Sequence, residues 1–236
     1  MAESESERIR EAYEKRRSKG WGKRYSWYQR GTLLALQERE RVLLSILQDT
    51  LCDLSDKRIL DIGCGSGNTL IPFLFYGAKS ENCFGVDILG DSIEVAKERL
   101  PGMTFAHCSA ENIPFEKGIF DLVTMFTCLS SVLDNCIRRR ICQQAFAMVR
   151  PSGWVLIYDF KVNNPFNPDV KAVRLGELKE YFLGCKCYSK KLTLLPPVGR
   201  MIGPYSMTIY NLLSVFPFLR THRMTIFQKP ASQSGA

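Results

Sequence analysis

The 236-residue chain is poor in the residues that build metal and nucleophile sites. It has two histidines, and its nine cysteines stand singly except for Cys185-Lys186-Cys187. No CxxC pair and no His/Cys cluster of zinc spacing occurs, so no metal centre is expected. The odd cysteine count and scattered placement argue against a disulfide framework and for reduced, buried thiols. No stretch approaches the roughly 20 apolar residues of a membrane span. The longest apolar region, 207–219, is interrupted by Asn211, Ser214 and Pro217. The N-terminus carries mixed charge in place of an apolar signal segment, which sets the expectation of a cytoplasmic protein. Repeats and low-complexity tracts are absent as well.

What is present fits one globular domain. The chain is 45% hydrophobic and 24% charged, enough for a sizeable core over residues 1–236, with polar, fraying ends at 1–6 and 231–236. The net charge of +8 is uneven. Residues 161–236 hold eleven Lys and Arg against three acids, residues 1–40 carry +3, and the middle carries −3. Three readings of the basic third stand side by side. It is a solvated face, a site for an anionic small-molecule acceptor, or a surface for peripheral contact with an anionic membrane. Nucleic acid ranks behind these, because no aromatic-plus-basic RNA motif or DNA-binding pattern is found.

Along the chain, residues 5–19 are charge-rich and helical in composition. An aromatic cluster follows, Trp21, Tyr25, Trp27 and Tyr28, and then an amphipathic helix over 32–49. Strands are expected at 58–62, 83–87, 103–108, 120–126 and 154–158. Helices are expected at 68–76, 92–100 and 137–149, with Asp91 capping the second through a capping box with Glu94. Pro151-Ser152-Gly153 reads as a turn. Beyond Asp159 the alternation weakens. A helix at 175–182 and two closing strands at 189–195 and 224–229 flank a Pro196-Pro197 step and an apolar helical segment. Continuous apolar strands separated by helices imply a parallel, doubly wound sheet covered on both faces.

The strongest chemical signal is the run from Leu60 through Gly67. A strand passes directly into a glycine-rich turn that opens a helix, so a ligand can approach the backbone and meet oriented amides. The spacing is GxGxG, not the GxGxxG of dinucleotide binders. Alone, such a turn is also compatible with an ordinary strand-to-helix connection. Asp87 strengthens it. It ends the second strand, where a carboxylate can accept from both ribose hydroxyls, and no arginine follows to favour a 2′-phosphate. Ser109-Ala110-Glu111-Asn112 and Phe126-Thr127 lie at two more strand ends, where ligands of doubly wound sheets sit.

Taken in order, the runs 61–67, 85–87, 110–115, 120–123 and 150–154 resemble the class I S-adenosyl-L-methionine-dependent methyltransferases. The chain is similar to the methyltransferase type 11 group over residues 58–160. The resemblance implies a Rossmann-like α/β fold with a mostly parallel seven-stranded sheet. Residues 1–50 would form a helical lid, 58–160 the cofactor core, and 161–236 a substrate-side elaboration. It implies that Asp61, Gly63, Gly65 and Gly67 pack on the methionine part of S-adenosyl-L-methionine. Asp87 would bind the ribose, the residues around Ala110, Glu111 and Asn112 would contact the adenine, and Ile88 and Phe126 would complete the cofactor-binding set. Ser130-Ser131 departs from the paired histidines that many family members carry after the fourth strand.

An alcohol acceptor calls for a general base. Asp159, at the end of the fifth strand, and His222, entering the last strand, are the two candidates, and each could equally be a structural residue. His107, inside the third strand, reads as a satisfied core residue. The aromatic cluster is either a water-excluding lid or an anchor for the N-terminal helix. The leading expectation is methyl transfer to a small-molecule hydroxyl on a sugar, lipid-linked or natural-product acceptor. N- or C-methylation, for example of a quinone precursor, and a non-catalytic cofactor-binding module are alternatives. A nicotinamide oxidoreductase is disfavoured by the GxGxG spacing.

Overall fold

Every residue of Phe120–Phe126 is buried, a pattern that only a strand covered on both faces tolerates. The computed structural model describes residues 4–20, 28–165 and 167–231, and among them this strand is the fourth of seven. The strands are β1 (Ile59–Ile62), β2 (Cys83–Asp87), β3 (Thr104–His107), β4 (Phe120–Phe126), β5 (Val149–Phe160), β6 (Lys186–Leu194) and β7 (Arg220–Gln228). They form one sheet in the order β3-β2-β1-β4-β5-β7-β6. The pairs from β3 through to β5 are parallel, and β7 lies antiparallel between β5 and β6. The fold is thus the Rossmann-like, mostly parallel seven-stranded sheet expected.

Helices cover both faces. They are α1 (Glu5–Ser18), α2 (Arg30–Thr50), α3 (Ile71–Phe75), α4 (Gly90–Arg99), α5 (Asn135–Met148), α6 (Leu175–Tyr181), α7 (Pro196–Ile202) and α8 (Met207–Ser214). On one face α2 contributes Val42, Leu43, Ile46 and Leu47, a stripe at helical spacing, to a core with Phe73, Ile93, Leu122 and Met224. On the other face Ile141, Cys142, Ala145 and Met148 of α5 pack with Leu60, Val123, Ile157 and Phe227. Burying each such large side chain contributes about 1.5–3 kcal/mol.

Several local expectations are corrected. The helix expected at 68–76 shrinks to Ile71–Phe75, because Leu70 and Phe73 donate to carbonyls three residues back and Pro72 has no N–H to give. Asp91 does not cap α4. The helix begins at Gly90 with Leu89 as its cap, so the exposed Asp91 falls in the first turn and pairs with Arg17 of α1 at 3.1 Å. The 151–153 turn is a bulge inside a longer β5. Ser152 has φ +61°, and the pairing with β4 jumps from Phe120↔Val149 to Leu122↔Trp154. His107 is exposed, not core, and its Nε2 lies 3.1 Å from the Ile88 carbonyl. The cysteines are unpaired, but only Cys64, Cys83 and Cys142 are buried, while Cys52, Cys136 and Cys187 are exposed. Trp21, Tyr25 and Trp27 lie outside the described residues, and Tyr28 is 97% exposed.

Behind the carboxyl ends of the strands one buried cation joins two loops. Arg138 of α5 is fully buried. It donates to the carbonyls of Val132 at 2.6 Å, Lys171 at 2.7 Å and Ala172 at 3.1 Å, and meets Glu177 of α6 at 3.3 Å. Replacing it with methionine would leave these carbonyls and Glu177 without their donor. Arg138→Met is expected to lower stability by about 3 kcal/mol, seen as a lower urea midpoint at unchanged slope. A midpoint equal to wild type would mean the guanidinium holds nothing together.

Candidate active site

The strand order reverses between β1 and β4, and in doubly wound sheets the ligand crevice opens there, outside the carboxyl ends of the strands. A cavity of about 1290 Å³ fills that position. Its first wall is the turn after β1. Gly63 has φ +77° and sits so close to β4's exit that an added Cβ would fall 2.8 Å from Cys128 Sγ. Gly65 has φ +52° with nothing within 4 Å of where a Cβ would stand, because that side opens into the cavity. Both features demand glycine, one for approach and strain, the other for strain and ligand access.

Asp87 ties this turn to β2. Its Oδ2 accepts from the Gly65 amide at 2.7 Å, and its Oδ1 accepts from Leu89 N at 2.9 Å. Burial pushes its carboxyl above the ordinary range, opposed by those amide bonds. Ile88, Ala110, Glu111 and Phe126 continue the wall, and Glu111 is paired with Arg140 of α5. These residues and the two glycines are brought together as the sequence suggested.

Four predicted residues are placed elsewhere. Asp61 is fully buried and bonded to the hydroxyls of Thr69 and, at 2.7 Å, Thr124. Burial pushes its carboxyl up to about 7. Gly67 packs inward, where a Cβ would meet Leu100 Cδ1 at 2.6 Å. Asn112 is exposed beyond the cavity rim. Asp159 is buried with its carboxylate turned away from the cavity lining, accepting from Ser130 N at 3.0 Å and Phe160 N at 2.8 Å. Burial raises it to about 6. The Asp61 and Asp159 carboxyls therefore brace the loops that form the cavity.

His222 does face the cavity. Its ring stacks on Tyr158 with centroids 4.9 Å apart and lies 4.1 Å from the Phe160 ring. Thr221 Oγ1 donates to the Thr193 carbonyl and lies 2.9 Å from His222 Nδ1. Where Nδ1 carries the ring proton it donates to that hydroxyl, and Nε2 is then the unprotonated nitrogen. No side chain or backbone group among the described residues occupies Nε2. Burial pushes the imidazole down to about 3, so it is neutral.

One cavity residue and the contacts of the N-terminal helix carry no sequence signal. Arg39 of α2 lies over the rings of Phe126 and Tyr158, at 5.4 and 5.8 Å, and lines the cavity with Leu36. A single arginine on an amphipathic helix gives no sequence signal of this. Helix α1 also closes one side. Its Tyr13 hydroxyl lies 3.1 Å from Ser131 Oγ, its Arg8 donates to the Ser131 carbonyl, and its Glu5 accepts from Leu133 N. Ser131 thus holds the N-terminal helix. No group of three or more His, Cys, Asp or Glu that could hold a metal occurs among the described residues.

The Methyltransferase domain family matches residues 59–153, the stretch that builds β1 to the β5 bulge. Among curated proteins, a phthiotriol/phenolphthiotriol dimycocerosates methyltransferase of Mycobacterium tuberculosis is 29% identical over 138 residues, covering 56% of this chain and 49% of its own length. A ubiquinone/menaquinone biosynthesis C-methyltransferase of Campylobacter jejuni is 29% identical over 106 residues, 43% of each chain. The chain thus spans about half the length of the curated relatives it matches. Among solved structures, Haemonchus contortus phosphoethanolamine N-methyltransferase 2, in complex with S-adenosyl-L-methionine, superposes with a TM-score of 0.58 at 20% identity, over 79% of this chain and 52% of that one. The glycine turn and its partner acid fall inside the matched Methyltransferase domain, residues 59–153, and over the rest of the sheet the likeness to the solved methyltransferase is one of fold.

Proposed function

We propose that the protein transfers the methyl group of S-adenosyl-L-methionine to a hydroxyl of a lipid-linked, sugar or natural-product acceptor. The observation that carries the reading is the turn at Gly65. Its amide is fixed by Asp87 while the space over its α-carbon is open to the cavity, so a ligand can lie on bare backbone beside a carboxylate. The donor set suits the cofactor. Asp87 offers acceptors for ribose hydroxyls, Gly63 and Gly65 a surface for the methionine part, and Ala110 with Ile88 an edge for the base. When bound, S-adenosyl-L-methionine supplies an already activated methyl.

The chain's own groups then align the acceptor and exclude water. The lining also joins apolar Leu36, Phe160, Pro196 and Pro197 to the cations Arg39 and Arg200, which suits an apolar acceptor with an anionic group. In this reading Nε2 of His222, which lines the cavity, takes the proton of the acceptor's hydroxyl. The lipid and quinone substrates named for the two curated relatives support a small apolar acceptor. C-methylation of a quinone-like ring is the second reading, favoured by the flat stack of Tyr158 on His222.

Three outcomes are expected. Asp87→Ala weakens S-adenosyl-L-methionine binding in calorimetry by about 1.5–3 kcal/mol and lowers the melting temperature slightly, since the carboxylate also holds the turn. Wild-type affinity would remove the ribose role. Gly65→Val abolishes cofactor binding, through its side chain in the cavity, while the strain of a left-handed valine costs the fold only about 1–2 kcal/mol; an active variant would sink the glycine-turn reading. His222→Gln lowers kcat about 10²-fold or more with unchanged cofactor affinity. Because the imidazole is already neutral at a pKa of about 3, the wild-type rate shows no histidine step from about pH 5 upward. An unimpaired His222→Gln enzyme would favour carbon methylation without a base.

A further inference from the structure

Residues 195–220 contain two arginines and no acid. They hold α7 and α8 and the turn that leads into β7. Helix α8 buries Tyr210 and Ser214 and turns its other side outward, with Met207 61% and Leu212 63% exposed. The turn after it adds Val215 at 67% and Phe218 at 77%. Large apolar side chains this exposed and this close together mark an interaction surface. No helix among the described residues is long and apolar enough to cross a membrane, so this surface can lie on a bilayer but not span it.

Beside the apolar face a second, smaller cavity of about 270 Å³ opens between α2, β6 and α8. Its wall carries three cations, Arg41, Lys190 and Arg220, against one acid, Glu38. Arg220 is held rigidly by the carbonyls of Ser214 and Lys191, both at 2.5 Å. Glu38 is committed to Thr193 N at 3.1 Å and stands 3.9 Å from Arg220. Arg41 and Lys190 are exposed and make no hydrogen bond or ion pair among the described residues. Tyr210, 1% exposed, forms part of the same wall, and its buried hydroxyl has no hydrogen-bond partner. Buried hydroxyls are ordinarily satisfied, so this donor together with two uncommitted cations describes a seat for an anion.

We propose that α8 and the turn 215–218 dock on an anionic phospholipid bilayer. The apolar side chains enter the acyl boundary and a headgroup phosphate sits in the Arg41–Lys190–Tyr210 cavity. The charge pattern favours a lipid surface over a protein partner. The face is apolar, acid-free and flanked by cations, the arrangement of interfacial helices. The face also adjoins the large cavity, because Pro196, Pro197 and Arg200 of α7 line that cavity's wall. A membrane-borne acceptor would therefore meet the site along this side.

The test is co-sedimentation with vesicles, without cofactor or acceptor, so that its failure leaves the methyl-transfer reading untouched. The full chain is expected to sediment with phosphatidylcholine vesicles containing phosphatidylglycerol at about one part in four, to stay in solution with phosphatidylcholine alone, and to be released by salt. Arg41→Gln with Lys190→Gln is expected to weaken binding on the order of tenfold or more, and Leu212→Ser with Phe218→Ser to abolish it. All four side chains are exposed, and an unchanged melting temperature confirms folding. Absence of binding, equal binding to neutral vesicles, or undiminished binding by either folded variant would overturn the proposal. So would a dimer in light scattering that Leu212→Ser with Phe218→Ser dissolves, which would assign the face to a second copy of the chain.

Discussion

Three aspartates close the carboxyl ends of three strands, and each is spent on holding a loop. Asp61 at the end of β1 bonds Thr69 and Thr124. Asp87 at the end of β2 bonds Gly65 and Leu89. Asp159 at the end of β5 bonds Ser130 and Phe160. A buried carboxylate is tolerated only when its lone pairs are met by hydrogen bonds, so each aspartate dictates where the neighbouring loop must bring a donor. Together they brace the loops around the large cavity. Burial raises all three carboxyls, Asp61 to about 7 and Asp159 to about 6. A raised folded-state value means that their contribution to stability is greatest below the unfolded value and is lost as pH rises through the folded one. For Asp159 that window runs from about pH 4 to 6, for Asp61 from about 4 to 7. A cation in the cavity would relieve the same charge, which is the electrostatic logic of receiving a sulfonium there.

Much of the core was legible because the local signals agreed. β4 lies where a buried run of seven residues put it, and α2 lies where its apolar stripe put it within two residues. Gly65 and Asp87 were legible because a turn that needs glycine and an acid at the neighbouring strand end are local features with one geometric meaning. The failures came from direction. Asp61 and Asp159 sit in the right stretch of chain, yet side chains on a strand alternate in facing, and sequence proximity to the site did not say which way each points; Gly67 lies in the turn, packed against Leu100. Asp91 has the composition of a cap, but the Leu89 amide is taken by Asp87, and the helix starts early enough to move Asp91 inside. His107 was assigned to the core from its strand, but it ends the short β3 at the edge of the sheet, where one flank is open to solvent.

The parts of the site contributed from far away in sequence were illegible for a different reason. Arg39 reaches Phe126 and Tyr158 only because α2 crosses that side of the sheet, and Ser131 meets Tyr13 only because α1 folds back over the cavity. These contacts join residues 87 to 119 positions apart, and the individual residues carry no motif. The basic excess of the last third was visible as a number. Its division between Arg200 in one cavity wall and Lys190 in another was not, because that division depends on α7 and α8 packing beside α2.

The outer strands show where more of that positive charge goes. β3 and β6 are the two ends of the sheet, and the β6 edge is met only in part by side chains, Glu38 accepting from Thr193 N and Arg220 donating to the Lys191 carbonyl. β3 is four residues long and offers little to a foreign strand. β6 is nine residues long and would be an open template for another chain, but it carries Lys186, Lys190 and Lys191. Stacking a second copy along that edge would bring six ammonium groups into register, and a sheet so edged resists growing beyond its own seven strands.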